Sequence, residues 1–203
     1  VHADGNSLGD IIRSLAENKG SEAGSIFRKF SRALDAATQE AAQKAFVEVF
    51  ATELEKGQVL GIRPVVIGGD DITFLCRADK ALGFTAAFLK YFEEQTKKYL
   101  KELTNDIERK QLSACAGIAF IKSSYPVHYG MSLAEQLCGV AKVASKKLVV
   151  EGTNDVVPAS LAFHKVQDSF LGEWKEMAQK EMTYKQAGYS ELDFNYGPYA
   201  VKA

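Results

Sequence analysis

Residues 63–76, Arg-Pro-Val-Val-Ile-Gly-Gly-Asp-Asp-Ile-Thr-Phe-Leu-Cys, constrain this chain more than any other stretch. Two short runs of β-branched and aromatic residues flank the tip Gly68-Gly69-Asp70-Asp71, the pattern of a β-hairpin. A hairpin is marginal by itself and needs further strands or a covering helix. The rest of the chain supplies both. Residues 1–4 read as the end of a strand, and Ser7 is a candidate N-cap for a helix with Leu8, Ile11, Ile12 and Leu15 at helical spacing. After a glycine-containing break at 18–25, the spacing predicts a long helix over 26–56. Its apolar stripe is Ile26, Phe27, Phe30, Leu34, Ala37, Ala41, Ala45 and Val49, and Gly57 is placed to stop it. A helix over 81–103 carries Phe84, Phe88, Tyr91 and Phe92 on one face. A strand over 112–121, a helix over 132–147 and a strand over 160–166 follow. Beyond 166 comes a helix-like stretch, then an aromatic, turn-rich tail at 194–199.

The order contains a βαββαβ core, the split, ferredoxin-like arrangement in which two helices pack on one face of an antiparallel sheet. We therefore expect an α+β fold over 1–166, with 167–203 as a helical and turn-rich extension packed on it. Many activities share this fold, so function has to come from the residues it brings together.

Composition narrows the classes. With 46% hydrophobic residues and a net charge of −1, the 203-residue chain is not intrinsically disordered. Nor is it built to grip nucleic acid by bulk electrostatics, and no direct base readout is expected. No run of 18 apolar residues exists to span a membrane, and the opening Val-His-Ala-Asp does not resemble a signal peptide. Cys76, Cys115 and Cys138 lie far apart with no metal-ligand spacing, which reads as reduced thiols in a cytoplasmic protein. Val1 in place of an initiating Met reads as a piece of a longer chain.

Three carboxylates hold the chemical interest. In a βαββαβ sheet the first strand lies centrally beside the hairpin, so Asp4 at its end approaches the tip bearing Asp70 and Asp71. Carboxylates so close repel, and one would be protonated unless a cation sits among them. Oxygen-only donors suit Mg²⁺ or Mn²⁺, and two such ions about 3.5–4 Å apart clamp the attacking and leaving oxygens of a phosphoryl transfer. Gly68 and Gly69 let backbone approach a triphosphate with no Cβ in the way. A Gly-Gly-Asp-Asp tip taken alone is also an ordinary polar turn; its placement beside Asp4 favours the site. Along the helix after the 112–121 strand, Lys142 stands one turn from Cys138 and Lys146 and is placed to meet a phosphate as a point charge. Lys146 and Lys147 read as a solvated helix face. His2 shares a strand face with Asp4, and a structural role fits it better than a direct one. His164 reads as structural too.

The set His2-Ala3-Asp4-Gly5-Asn6-Ser7-Leu8-Gly9, Gly68-Gly69-Asp70-Asp71, Ala116-Gly117-Ile118 and Ala134-Glu135…Ala141-Lys142 resembles the second palm domain of the large, polymerase-like subunit of type III CRISPR effector complexes. The tail residues Phe163-His164 and Tyr196-Gly197-Pro198-Tyr199 also look like the end of that palm. More distantly the chain is similar to the diguanylate cyclase palm, whose tip is Gly-Gly-Asp/Glu-Glu-Phe, and it departs from that pattern in ending Asp70-Asp71-Ile72 and not in Glu-Phe.

The resemblance implies a nucleotidyltransferase that makes cyclic oligoadenylates from ATP in antiviral defence. Asp4, Asp70 and Asp71 would be the catalytic metal ligands for two Mg²⁺ or Mn²⁺ ions. Gly5, Asn6, Ser7, Gly68, Gly69 and Lys142 would line the nucleotide. Partners would be a second palm or a homodimer mate, and other CRISPR effector subunits with their guide RNA. The sequence departs from the whole subunit in having no His-Asp nuclease dyad, no Cys-rich zinc insertion and room for one palm only. Two other readings therefore stand beside the cyclase: a nucleotide-binding scaffold module without turnover of its own, and, more weakly, a cyclic di-GMP synthase.

Overall fold

The computed structural model describes residues 1–18, 22–103, 111–149, 156–167, 173–188, 190–195 and 197–201. Part of the break predicted at 18–25, and Tyr196 of the tail motif, lie outside them. In chain order the elements are β1 (His2–Gly5), α1 (Leu8–Asn18), α2 (Ala23–Val49), α3 (Ala51–Glu55), β2 (Ile62–Gly68), β3 (Asp71–Cys76), α4 (Ala78–Tyr99), β4 (Ala114–Phe120), α5 (Val127–Lys146), β5 (Ser160–Lys165), α6 (Trp174–Glu181), β6 (Thr183–Tyr184), β7 (Leu192–Asp193) and β8 (Tyr199–Ala200).

Six strands form one sheet in the order β2-β3-β1-β4-β5-β8, and β6 pairs with β7 separately. β1 is central and antiparallel to both β3 and β4, and β2 is antiparallel to β3. These four strands and the helices between them are the predicted split βαββαβ core. β5 then lies parallel to β4 and β8 antiparallel to β5, which makes the whole sheet mixed.

Side chains of successive strand residues point to opposite faces, and the sheet uses both. On one face Ala3, Ala114, Ala116, Ile72 and Leu161 meet the helical layer of α2 and α4. Its centre is aromatic: Phe30, Phe50, Phe84, Phe88 and Phe92 are all fully buried. Each contributes roughly 1.5–3 kcal/mol by leaving water. Phe74 of β3 packs on Phe84 with ring centroids 5.0 Å apart. The small alanines of β1 and β4 let these rings come close to the sheet. On the other face Cys115 and Ala162 pack against Leu133, Leu137, Cys138 and Ala141 of α5, joined by Trp174 and Met177 of α6. Buried His164 belongs to this layer, edge-on to Trp174 at 5.1 Å and 3.3 Å from Glu181 Oε2.

Four details depart from the expected elements. The helix predicted over 26–56 is broken at Phe50, whose backbone (φ −109°, ψ 16°) leaves the helix for one residue. The apolar repeat runs through the break (Phe46, Phe50, Leu54), so periodicity alone does not reveal it. Phe27 is exposed, because one residue beyond Ile26 turns it about 100° off the buried stripe. The helix predicted over 81–103 starts at Ala78 and ends in a 3-10 turn, Leu100–Leu103. α5 begins at Val127, five residues before expectation, directly after Pro126, whose extended backbone (φ −62°, ψ 119°) lies just outside the helix, where its missing N–H removes no helical hydrogen bond. No helix among the described residues is long and apolar enough to cross a membrane.

Candidate active site

The site is built where β1 ends between β3 and β4. Ala3 faces the aromatic core, so His2 and Asp4 point to the opposite side, the side α5 occupies. Asp4 is the Cα partner of Asp71 across the β1–β3 ladder and of Cys115 across β1–β4.

The β2–β3 turn adds the third carboxylate. Gly68 pairs with Asp71, leaving Gly69-Asp70 as a two-residue loop. Gly69 has φ +61° and Asp70 does not share the positive sign, the pattern of a II′ hairpin, which demands glycine at the first loop position. The Gly5 N–H donates to the Asp70 carbonyl at 3.2 Å. A Cβ on Gly5 would stand 2.8 Å from Asp70 Cβ and 2.9 Å from its Oδ2, so only glycine lets the Asp70 side chain lie over the end of β1.

α2 fixes the same turn from behind. Thr38 Oγ1 donates to the Gly69 carbonyl at 2.5 Å, and the Gly69 N–H faces Asp35 Oδ1 at 3.4 Å. Gln39 holds Asp35 by donating to Oδ2 at 2.9 Å. Asp35 and Thr38 carry no sequence signal, because a helix surface with one Asp and one Thr looks like any other.

From α5, the Lys142 ammonium bonds Asp4 Oδ2 and donates to the Gly5 carbonyl at 2.8 Å. Its helix is pressed onto β4 at Gly117, where a Cβ would fall 1.9 Å from the Ala134 carbonyl oxygen. His2 Nδ1 lies 3.4 Å from Asp71 Oδ1 and 3.0 Å from Thr73 Oγ1. Asn6 is turned inward: its Nδ2 donates to Ser113 Oγ at 2.9 Å, and its buried Oδ1 accepts nothing. Ser7, at the start of α1, has a left-handed backbone (φ +63°) with its carbonyl facing the Ile11 N–H at 3.4 Å. Non-glycine residues seldom adopt that conformation, and such outliers concentrate at binding sites.

Electrostatics follow from this crowding. Burial, and then the neighbouring Asp4 carboxylate, push the Asp70 carboxyl up to about 6. Asp71 is raised by burial, with His2 opposing. Burial lifts the Cys138 thiol to about 12, and all three cysteines are free. The structure thus brings Asp4, Asp70, Asp71, Gly5, Gly69 and Lys142 to one spot, with Asp4 and Asp71 still open to solvent (39% and 45% exposed).

A hard divalent cation fits this donor set, which is all oxygen. Asp71 Oδ1 is buried and accepts no hydrogen bond, the condition a cation would relieve. Among the described residues, however, no three His, Cys, Asp or Glu side chains are already gathered as a ligand group. Lys142 supplies the positive charge on Asp4 instead.

A central strand with Asp one residue before its end, a II′ hairpin with two further acids and a split βαββαβ sheet define a palm domain of the nucleotide cyclase and polymerase kind. The chain belongs to the family described as Cas10/Cmr2, second palm domain, which matches residues 1–150. It is thereby a palm of the large subunit of a multi-subunit type III CRISPR effector complex. No curated protein matches it.

Proposed function

We propose that this palm binds ATP with Mg²⁺ or Mn²⁺ and serves nucleotidyl transfer that yields cyclic oligoadenylates. The observation that carries the reading is the pairing of Asp4 with Asp71 across β1–β3 while Asp70 lies over Gly5. Asp4, Asp70 and Asp71 would hold the ions, which when bound supply neutralisation of the phosphate charge and a more acidic attacking hydroxyl. The chain's own contribution is positioning. The turn of Gly68 and Gly69 gives close backbone access, and the Gly5-Asn6-Ser7 junction leads into the N-terminus of α1, whose unpaired N–H groups favour a phosphate. Lys142 offers a flexible ammonium for the β- or γ-phosphate. The reaction is attack of a ribose 3′-hydroxyl on the α-phosphate of a second nucleotide with release of pyrophosphate. It therefore needs a second nucleotide site, on another palm or a second copy of this chain.

The scaffold reading keeps one specific support. Lys142 neutralises Asp4 in this single palm, and no ligand group stands preassembled among the described residues. We therefore propose residues 1–166 as the nucleotide-binding unit, with turnover dependent on the rest of the complex and its guide RNA. Calorimetric titration of ATP and GTP with Mg²⁺, on this chain and on Asp70→Asn/Asp71→Asn, tests the reading. Metal-dependent ATP binding that the variant loses supports it. A folded wild type that binds neither nucleotide overturns it, and the nucleotide-binding scaffold with it, and leaves a palm that serves the complex by its packing alone.

A further inference from the structure

We infer that Lys142 is the resident counter-ion of the acidic cluster, and that divalent metal displaces it from Asp4 so that nucleotide can take it up. Metal and nucleotide binding are thereby coupled through one side chain. The inference rests on the metal and nucleotide reading above and adds an order of events to it.

The geometry supplies the parts. The Lys142 ammonium has two partners, the Asp4 carboxylate and the Gly5 carbonyl, both at the end of β1. It lies against the same carboxylate that pairs with Asp71 across the ladder. Its backbone cannot follow the ammonium elsewhere, because α5 is seated on β4 at Gly117 against the Ala134 carbonyl and the Cys138 N–H. Exchange is therefore a motion of the flexible four-carbon stem, which carries an ammonium with three rotatable donors. The Lys142 side chain is 23% exposed and Asp4 39%, so the stem has open space to swing into.

The charges set the direction. In the metal-free chain Lys142 offsets part of the repulsion among Asp4, Asp70 and Asp71. A divalent ion bound to Asp4 reverses the field at the ammonium, from attraction to repulsion between like charges. Released into a site that now faces a triphosphate, the same ammonium gains a new acceptor. Linkage then works both ways: nucleotide that holds Lys142 away from Asp4 strengthens metal binding by the factor with which metal strengthens nucleotide binding.

The test follows the amine itself. Lys142 in the wild-type chain is treated with a lysine-acylating reagent and its modification read by peptide mass spectrometry, in three states: metal-free, with Mn²⁺, and with Mn²⁺ plus a non-hydrolysable ATP analogue. The expected result is protection, exposure and renewed protection. In parallel, Lys142→Met keeps the stem and removes the charge. It should bind Mn²⁺ alone about tenfold more tightly than wild type and the ATP analogue about tenfold more weakly in the presence of Mn²⁺. Mn²⁺ binding with Lys142 reactivity unchanged overturns the exchange and leaves the metal site standing. No Mn²⁺ binding by either the wild type or Lys142→Met overturns both. Because the reactivity arm uses wild-type protein, it decides the exchange even where the variant folds poorly.

Discussion

Asp4 and Asp71 stand directly opposite each other as Cα partners on adjacent antiparallel strands. Like charges in that position oppose sheet formation by a few tenths to about 1 kcal/mol. Here Lys142 bonds one carboxylate and His2 flanks the other at 3.4 Å. The pairing is thus a stability cost retained at a site. Asp71→Asn should raise the metal-free chain's unfolding free energy by about 0.5–1 kcal/mol in chemical denaturation while weakening metal-dependent ATP binding. A variant less stable than wild type would mean that the His2 contact outweighs the repulsion.

The clasp between α2 and the hairpin turn makes a second case. Thr38 is fully buried and its hydroxyl meets the Gly69 carbonyl. Thr38→Val keeps shape and leaves that carbonyl without its donor, at a cost of about 1–2 kcal/mol. If the clasp positions Asp70 as well as stabilising the turn, ATP affinity with Mg²⁺ falls along with stability, and Thr38→Ser restores both. A fall in stability with ATP affinity intact would reduce Thr38 to a packing residue.

The contrast between Asp70 and Asp35 shows what the sequence conveys and what it hides. Gly69-Asp70 announces itself locally, because a two-residue turn between β-branched runs needs glycine at positive φ. Asp4 and Lys142 are placed by topology, since a central first strand and a helix behind the fourth strand follow from the element order. Asp35 and Thr38 reach Gly69 only through the tertiary docking of α2, and no spacing in the chain encodes that. The break at Phe50 stays hidden because the apolar repeat passes through it. The parallel pairing of β5 with β4 depends on α5 crossing the second face. Cys115 and Gly117, which permit that crossing, read as part of an ordinary string of small residues.

The α2–α4 layer carries a pH signature of its own. Glu40 accepts from Lys98 Nζ at 2.8 Å and from Tyr99 Oη at 2.7 Å, and these bonds hold its carboxyl down at about 2. A carboxyl depressed in the fold binds fewer protons there than in the unfolded chain. Its stabilising contribution is therefore complete above about 4.5 and lost as pH falls towards 2. Denaturation followed between those limits should show a shallower decline for Glu40→Gln than for wild type, from a lower starting stability. Parallel curves would show that Glu40 is not depressed in solution.

Gly117 sets how close α5, and with it Lys142, can stand to β1. A Cβ there would lie 1.9 Å from the Ala134 carbonyl oxygen and 2.5 Å from the Cys138 nitrogen, both backbone atoms that no rotamer change can move. Gly117→Ala must therefore lift α5 off the sheet, at a cost of about 3 kcal/mol, and it draws the ammonium away from Asp4. Gly139, on the outer face of the same helix, provides the matched control, since its Cβ would meet nothing within 4 Å. Gly139→Ala should stabilise the chain by about 0.5–1 kcal/mol through helix propensity alone. Chemical denaturation of the two variants side by side separates close packing from propensity. Equal stabilities would mean that α5 does not rest on β4 through Gly117.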